Sequence, residues 1–402
     1  MAATVTGSTD VVSNAAPLPA SAAAADASTR LTSAGAVPGL QGSAPQSSQQ
    51  SGPGRRQVAR RPLALVLIIM AVLLLVVVSI SAGVGQFGIT PAGIVESLIR
   101  KLGLTALTDP SQQYVDGALW NIRFPRLILG ILVGAALGTA GALMQGVFGN
   151  PLAEPGVIGV SAGCAVGACA VIVFQLDFAG SASIPIAAFA MGLLTTFVVY
   201  LASRSGGKAQ VLTLVLTGIA INAVANAAIA FFVFLADTSS REQIMFWQLG
   251  SLNGATWSAV ATTAPFLVIG LVGAVFMARK LDLLALGERS ARHLGVNVER
   301  LRIGAILCVA LLTAAAVAFA GIISFVGLII PHLLRMIIGP GHKALIPASA
   351  LGGALLISGA DVIARTAIPF ADLPIGMFTA LVGGPVFFVL LRRTISPRKS
   401  GR

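Results

Sequence analysis

Nine long stretches without a charged side chain follow one another along this sequence, and they limit strongly what the chain can fold into. The stretches cover residues 62–95, 127–153, 155–176, 178–203, 211–236, 243–278, 303–334, 344–360 and 373–391. A helix that spans a membrane needs about 20 predominantly apolar residues, so most of the stretches fit one crossing each. The sequence therefore predicts an all-α, polytopic membrane protein.

The number of crossings depends on one long apolar region. The region from Ile303 to Ile338 is interrupted only by Arg335 and is too long for one ordinary crossing. Gly321 lies near its middle, where a tight reversal would divide the region into two helices. With this division the sequence predicts about ten transmembrane helices, whereas hydropathy alone would also allow about nine.

The basic residues predict the orientation of these helices. Ten crossings put both termini on one side, and 20 of the 26 lysines and arginines then fall in segments on that side. Such an excess is typical of cytoplasmic segments, so we expect a multi-pass protein of the cytoplasmic membrane with both termini in the cytoplasm. A nine-helix arrangement would put the C-terminal basic cluster on the wrong side. Because topology explains the net charge of +12, no nucleic-acid partner is predicted.

The composition excludes an ordinary soluble enzyme. Of the 402 residues, 56% are hydrophobic and only 10% are charged, whereas soluble domains carry about 25% charged residues. The three cysteines, Cys164, Cys169 and Cys308, all lie within apolar runs. This placement predicts neither a disulfide framework nor a metal site.

The two ends of the chain differ from its apolar body. Residues 1–54 hold few charges and are rich in Ala, Ser, Gly, Pro and Gln, which predicts a disordered, low-complexity tail. Arg60 and Arg61 before an apolar run resemble a twin-arginine or secretory signal, but the run is longer than a signal core, so a retained first helix is favoured. We assign residues 55–395 to a transmembrane domain and 396–402 to a basic C-terminal tail.

One motif raises the possibility of an enzyme. Gly159 to Gly163 fits the G-x-S-x-G pattern with Ser161 as nucleophile, which would make the chain an intramembrane hydrolase. The pattern is common in a glycine-rich chain, and the three histidines, His293, His332 and His342, all belong to segments assigned to the cytoplasmic face. Close helix packing is therefore favoured, as it is for Gly130, Gly134, Gly138 and Gly141 on one face of the second crossing. No catalytic residue is predicted.

Polar residues within or beside the apolar runs have structural and functional interpretations. Asn222 and Asn226 lie four residues apart on the fifth crossing and predict either an interhelical hydrogen bond or a polar strip facing a wet pathway. Asp361 and Arg365 are also four apart and predict an internal ion pair. Arg123 and Arg126 lie at the outer face, where basic residues are scarce, so they anchor lipid phosphate or bind a specific acidic partner.

The segment 279–302 is the most informative part outside the membrane. Leu281 to Gly287 and Glu288 to Gly295 predict two short amphipathic helices, each closed by a glycine. A connection that only had to turn would need just a few residues. We therefore expect these helices to form a docking platform for another protein.

Several longer motifs carry a family resemblance. They are Met144-Gln145-Gly146, Asn150 to Gly156, Ile158 to Ser161, Leu284 to Glu288, Gly327 to His332 and Leu373 to Gly376. In this order they resemble the FecCD family, the permeases of type II ATP-binding-cassette (ABC) importers for iron-siderophore complexes, haem or cobalamin. The resemblance covers residues 60–393. A stand-alone secondary transporter remains the other transporter class to be tested.

The resemblance implies partners and site residues. It implies a second permease copy, as a homodimer or with a close relative, together with two ABC ATPase subunits, an extracytoplasmic substrate-binding protein and membrane lipid. ATP is used by the partner ATPase, and the chain itself binds no cofactor or metal. The implied ATPase-coupling residues are Leu284, Ala285, Leu286, Gly287, Glu288, Ala291, Leu294 and Gly295. Arg123, Arg126 and Arg365 are implied to dock the binding protein, and the fifth and tenth helices, with Asn222, Asn226 and Met377, line the translocation pathway.

Three short segments narrow the choice among the possible cargoes. Gly250 to Trp257, Ala371 to Pro374 and Gly383 to Pro385 are more similar to haem-importing than to siderophore-importing members. The family more often has Glu where Asp372 stands. We expect haem as cargo, with a ferric siderophore as the first alternative and cobalamin as the second.

Overall fold

Helices make up nearly all of the part of the chain that the structure describes. This computed structural model describes residues 63–85, 88–106, 109–205, 208–369 and 371–395. The predicted tail at 1–54 and the basic C-terminal segment at 396–402 lie outside these residues. Within them the prediction of an all-α polytopic fold is confirmed.

Fourteen α-helices occur among the described residues. They are α1 Leu63–Gly83, α2 Pro91–Lys101, α3 Pro110–Ala118, α4 Phe124–Phe148, α5 Val160–Val173, α6 Ser183–Ala202, α7 Val211–Leu235, α8 Thr238–Leu249, α9 Trp257–Leu284, α10 Glu288–His293, α11 Val298–Ala320, α12 Val326–Ile338, α13 His342–Thr366 and α14 Ile375–Ile395. A π-helical turn at Leu119–Arg123 joins α3 to α4, and 3₁₀ turns lie at Pro155–Ile158 and Gly180–Ala182. The two-residue strands β1 (Arg204–Ser205) and β2 (Lys208–Ala209) pair antiparallel.

Seven helical segments of the described residues are long and apolar enough to cross a membrane, and three more apolar helices are shorter. The long segments contain α1, α4, α6, α7, α9, α11 and α13; the shorter helices are α5, α12 and the 375–390 part of α14. The count of ten crossings stays a prediction.

The apolar region 303–338 is divided as predicted. Helix α11 ends at Ala320, and Gly321 follows with a φ of 67°. Phe325 also has a positive φ, 70°, immediately before α12 begins at Val326. The backbone N–H of Phe325 donates to Glu154 Oε1 at 3.2 Å. The break therefore combines a glycine, which adopts this conformation readily, with a side-chain partner for an N–H that the helix leaves free.

Three short helices flank the membrane segments and were not predicted. They are α2, α3 and α8, and a side-chain oxygen caps each of them at Thr90, Asp109 and Asp237. The cap at Thr90, followed by Pro91, starts α2 inside the first apolar stretch, so the first long helix ends at Gly83 rather than reaching Val95. At the third cap, the hydrogen bond from the Ser240 backbone lowers the pKa of Asp237.

The centre of the fold is the contact between α4 and α13. Gly134 lies directly against the backbone carbonyl of Gly353, and Gly353 lies against that of Gly134. One turn further along α4, Gly138 lies against the carbonyl of Ser349. A Cβ at any of these glycines would overlap backbone atoms, so the helices touch through their main chains. This confirms the close packing predicted for the glycine face of the second crossing.

Candidate functional site

The platform, residues 281–302, closes one end of the helices. Its first predicted helix, Leu281 to Gly287, is not separate, because α9 continues without a break to Leu284. This part of the prediction was wrong because Ala278 to Leu284 contains no helix-breaking residue, and the chain leaves the helix only near Gly287, whose φ is 104°. The second predicted helix is α10, which is followed by Gly295 with a φ of 81°.

Buried apolar residues and an ion pair hold the platform to the helix bundle. Leu284 and Ala291 are buried, and α10 packs on the ends of α9 and α11. Glu288 Oε1 accepts a hydrogen bond from Arg302 Nη2 at 2.6 Å, which ties α10 to the start of α11. Because Arg302 is buried while Glu288 is half-exposed, this pair is better shielded than a surface salt bridge.

The outer side of the platform exposes apolar side chains. Leu286 is 65% exposed and Leu294 is 58% exposed, on either side of α10. Ala285, Gly287, Glu288 and Gly295 are exposed as well. Six of the eight predicted coupling residues therefore share an accessible surface, and the remaining two, Leu284 and Ala291, hold that surface in place.

A carboxylate and a histidine join the platform to α13. The Oδ1 atom of Asp282 accepts a hydrogen bond from the backbone N–H of His342 at 2.7 Å and lies 2.8 Å from His342 Nδ1. Because a carboxylate can only accept, Nδ1 carries the proton in this contact. Asp282 thus caps the N-terminus of α13, a pairing that the sequence did not predict.

Buried charges occupy the opposite end of α13. Arg126 Nε donates to Asp361 Oδ1 at 2.9 Å, and its Nη1 donates to Asp372 Oδ2 at 2.9 Å. The Nε of Arg365 lies 3.7 Å from Asp361 Oδ2, so the internal ion pair predicted for Asp361 and Arg365 is confirmed. The 19 residues of α13 between His342 and Asp361 separate this cluster from His342 by about 29 Å.

The three predicted docking arginines come together in this cluster, and each has an intramolecular partner. Arg123 Nη1 donates to the carbonyl oxygens of Ala82 and Gly83, and Arg365 Nη2 donates to Ser81 Oγ and Ser81 O, both at 2.6 Å. Arg123 and Arg126 are each only 8% exposed. Docking of a binding protein by these arginines stays a prediction, and the contacts found here tie α4 and α13 to the end of α1.

The predicted pathway residues lie in different surroundings. Asn222 is half-buried, and its Nδ2 donates to the carbonyl of Gly156 at 3.1 Å, in the 3₁₀ turn before α5. Asn226, one turn further along α7, is exposed, and Met377 in α14 is 42% exposed. Asn222 therefore makes the predicted hydrogen bond between segments, while Asn226 and Met377 lie on open faces of this chain.

Two further polar side chains lie deep among the helices. Glu154 binds the N–H before α12, and Gln145 Nε2 donates to the carbonyl of Leu328 at 3.0 Å. Both make hydrogen bonds with backbone groups in the first residues of α12 or just before it. A signal for Glu154 was present in the sequence, since it is the one charge between two long uncharged stretches.

The geometry around Ser161 does not fit a nucleophile elbow. The residue follows a 3₁₀ turn and lies in the first turn of α5, whereas an elbow places its serine after a strand. Of the described histidines, His342 pairs with Asp282, and His293 is exposed on the platform. No group of three His, Cys, Asp or Glu residues within the described ranges could hold a metal ion.

A cavity of about 440 Å³ lies beside the buried charge cluster. It is lined by Asp372 and Pro374, by Phe246 and Trp247 of α8, and by Asn253, which follows α8. Its wall combines aromatic rings, amide groups and one carboxylate. Such a wall is suited to an amphipathic molecule with a flat apolar part.

Comparison with known proteins agrees with this architecture. The model of the FecCD transport family matches residues 72–393. The hemin transport system permease protein HmuU of Yersinia pestis is 40% identical over 285 residues, which are 69% of this chain and 85% of that protein. The cobalamin import system permease protein BtuC of Halobacterium salinarum is 40% identical over 272 residues, 68% of this chain and 72% of that protein.

A relative with longer coverage and a solved structure extend the similarity. The Fe(3+)-citrate import system permease protein YfmE of Bacillus subtilis is 38% identical over 337 residues, 83% of this chain and 96% of that protein. A metal-chelate type ABC transporter, solved in an inward-facing conformation, matches with a TM-score of 0.72 and 30% identity over 82% of this chain and 99% of its own. This chain belongs to the FecCD transport family.

Proposed function

We propose that this chain is the membrane-spanning permease subunit of an ABC importer for metal chelates, and that haem is its cargo. The observation that carries the proposal is the exposed platform at the end of a bundle of apolar helices. In this proposal the chain is a transporter subunit of the cytoplasmic membrane rather than an enzyme, and both termini face the cytoplasm.

The platform supports docking of an ATPase. Leu286 and Leu294 are apolar yet exposed, and they flank α10 on a segment that sequence reasoning assigns to the cytoplasm. Exposed apolar side chains rimmed by charged residues are typical of protein–protein contacts. Glu288 and Arg302 keep α10 in a fixed position on α9 and α11, so an ATPase would meet a preformed surface. ATP hydrolysis takes place in that partner.

A second copy of the permease is supported by the open face of α7. Asn226 is exposed there beside apolar side chains of the same helix face such as Ile219, which is 57% exposed. An amide in contact with lipid would lack a hydrogen-bond partner. In a dimer this face would turn away from lipid, so that Asn222, Asn226 and Met377 line a shared pathway. The binding protein would dock at the opposite end, beside Arg123, Arg126 and Arg365.

Three segments that are more similar to haem-importing than to siderophore-importing members favour haem over the other chelates. They are Gly250 to Trp257, Ala371 to Pro374 and Gly383 to Pro385. The first two of these segments contribute Ser251, Asn253, Asp372 and Pro374 to the wall of the 440 Å³ cavity. A ferric siderophore is the second candidate, because the Fe(3+)-citrate permease relative is similar over 83% of this chain. Cobalamin is the third.

The experiment that tests the proposal compares cargoes in the assembled importer. The chain is produced with its ATPase and its binding protein, reconstituted in liposomes, and supplied with hemin, ferric citrate or cobalamin. We expect hemin to stimulate ATP hydrolysis and ATP-dependent uptake most strongly. Stimulation by ferric citrate alone would reassign the cargo to the siderophore class, and uptake by the chain without an ATPase would overturn the proposal.

A further inference from the structure

The contact between Asp282 and His342 joins the platform to the largest helix pair of the fold. Asp282 belongs to the last turns of α9, immediately before the exposed residues of the platform. One oxygen of its carboxylate accepts from the backbone N–H of the first residue of α13 and lies within hydrogen-bond distance of the same residue's ring. Two contacts to one residue fix both the position and the rotation of the helix end.

The imidazole ring has no freedom to move away. His342 is 2% exposed, and a Cβ placed on Gly146 would lie 2.5 Å from its Nε2. The ring therefore fills the space between the end of α9 and the end of α4. Only a glycine at position 146 leaves room for it.

Movement of this end of α13 is passed on to α4. The two helices touch through their main chains at Gly134 and Gly353, so neither can slide without forcing backbone atoms together. At its far end α13 is tied to α4 by the hydrogen bond between Asp361 and Arg126. The two helices form one body, the α4–α13 pair, with contacts along their whole length.

Helices α9 and α13 also pack against each other, and apolar packing depends little on direction. Such packing allows small shifts, whereas the hydrogen bonds of Asp282 are directional and charge-assisted. The carboxylate of Asp282 thus fixes the position of the platform relative to the start of α13.

We infer that Asp282 and His342 are a positioning pair that keeps α13 fixed to the platform throughout the transport cycle. When the ATPase displaces the platform, the α4–α13 pair moves with it as one body. The inference rests on the proposed function, because the displacement comes from an ATPase bound to the platform.

Distances between spin labels test this inference in the complete complex. Nitroxide labels are attached to Arg300→Cys on the platform and Lys343→Cys at the start of α13, both exposed positions. The distance is measured without nucleotide and after trapping with ATP and vanadate. We expect the same distance in both states, and a distance that changes with nucleotide once Asp282→Ala removes both contacts.

The outcomes separate this inference from the proposed function. If no ATPase copurifies with the unsubstituted chain, the proposed function and this inference both fail. If the ATPase binds but the distance changes while Asp282 is intact, the contact opens during the cycle and the inference alone is overturned. Identical distances in the Asp282→Ala variant would overturn it too.

Transport gives a second readout that a merely structural role would not produce. In Asp282→Ala and His342→Gln we expect hemin uptake per ATP hydrolysed to fall roughly tenfold while the ATPase rate and the melting temperature are retained. Thr366→Val, which removes an exposed hydrogen bond at the other end of α13, serves as the matched control. A parallel loss of hydrolysis, uptake and melting temperature would contradict the inference.

Discussion

Arg126 is the residue on which the buried charges at the far end of α13 depend. It binds Asp361 and Asp372 at the same time, and Asp361 also lies near Arg365. Two of its three guanidinium nitrogens are thereby used within the chain. A carboxylate buried as deeply as Asp361 requires such a partner, because an unpaired charge in this position is very unfavourable.

Replacing Arg126 by methionine should destabilise the protein by about 3–5 kcal/mol, since Asp361 would lose its strongest partner. Thermal unfolding of the purified chain in detergent measures the effect. Arg292→Met, which breaks an exposed ion pair with Glu288, is the control and should cost about 1 kcal/mol or less. An unchanged melting temperature combined with lost affinity for the binding protein would instead support a direct docking role for Arg126.

At the scale of single elements, the tightly packed α4–α13 pair contrasts with the exposed platform. The α4–α13 pair has no side chains between its main chains at Gly134 and Gly353, whereas the platform exposes Leu286 and Leu294, on either side of α10, to any partner that binds there. The first arrangement resists movement, and the second is available for a partner. Substitutions should therefore affect stability in one case and assembly in the other.

In the rigid pair, Gly353→Ala should sharply reduce the yield of folded protein, because the new Cβ would overlap the Gly134 carbonyl. Gly359→Ala is the matched control on the same helix, where a Cβ would meet no atom within 4 Å. That control should be neutral or stabilising by up to about 1 kcal/mol, the difference in helix propensity. Size-exclusion chromatography and melting curves compare the two, and equal behaviour would contradict the backbone contact.

On the platform, Leu286→Asp and Leu294→Asp should abolish copurification of the ATPase while the permease itself stays folded. A charge placed in the centre of an apolar contact loses its hydration without gaining a partner. Leu104→Asp, at a 71% exposed apolar residue between α2 and α3, is the control and should retain the ATPase. Normal copurification of both platform variants would place the ATPase contact elsewhere.

At the scale of the whole molecule, α13 connects two ends that should face different compartments. A membrane-impermeant maleimide should label Arg289→Cys only from the cytoplasmic side and Leu104→Cys only from the outside. Both positions are exposed. Right-side-out and inverted vesicles give the two sides separately, and labelling of Arg289→Cys from the outside would rule out ATPase docking at the platform.

The sequence predicted the parts of this molecule that depend on local composition. Uncharged stretches predicted the long helices, Gly321 predicted the division of 303–338, and the glycines of α4 predicted close packing. Contacts between distant positions could not be predicted in this way. Arg126 and Asp361 are separated by 235 residues and Asp282 and His342 by 60, and no spacing rule relates them. The arginines therefore looked like surface groups in the sequence, although the fold encloses them.

The contact between Gly134 and Gly353 has a consequence for how this protein can vary. When two side chains meet, a larger residue on one helix is accommodated by a smaller one on the other. Here both residues are already glycine and each meets the other's carbonyl, so no smaller replacement exists on either side. A compensating change to a smaller residue is therefore not available at this contact, and we expect new specificities in this protein to arise on the helices around it.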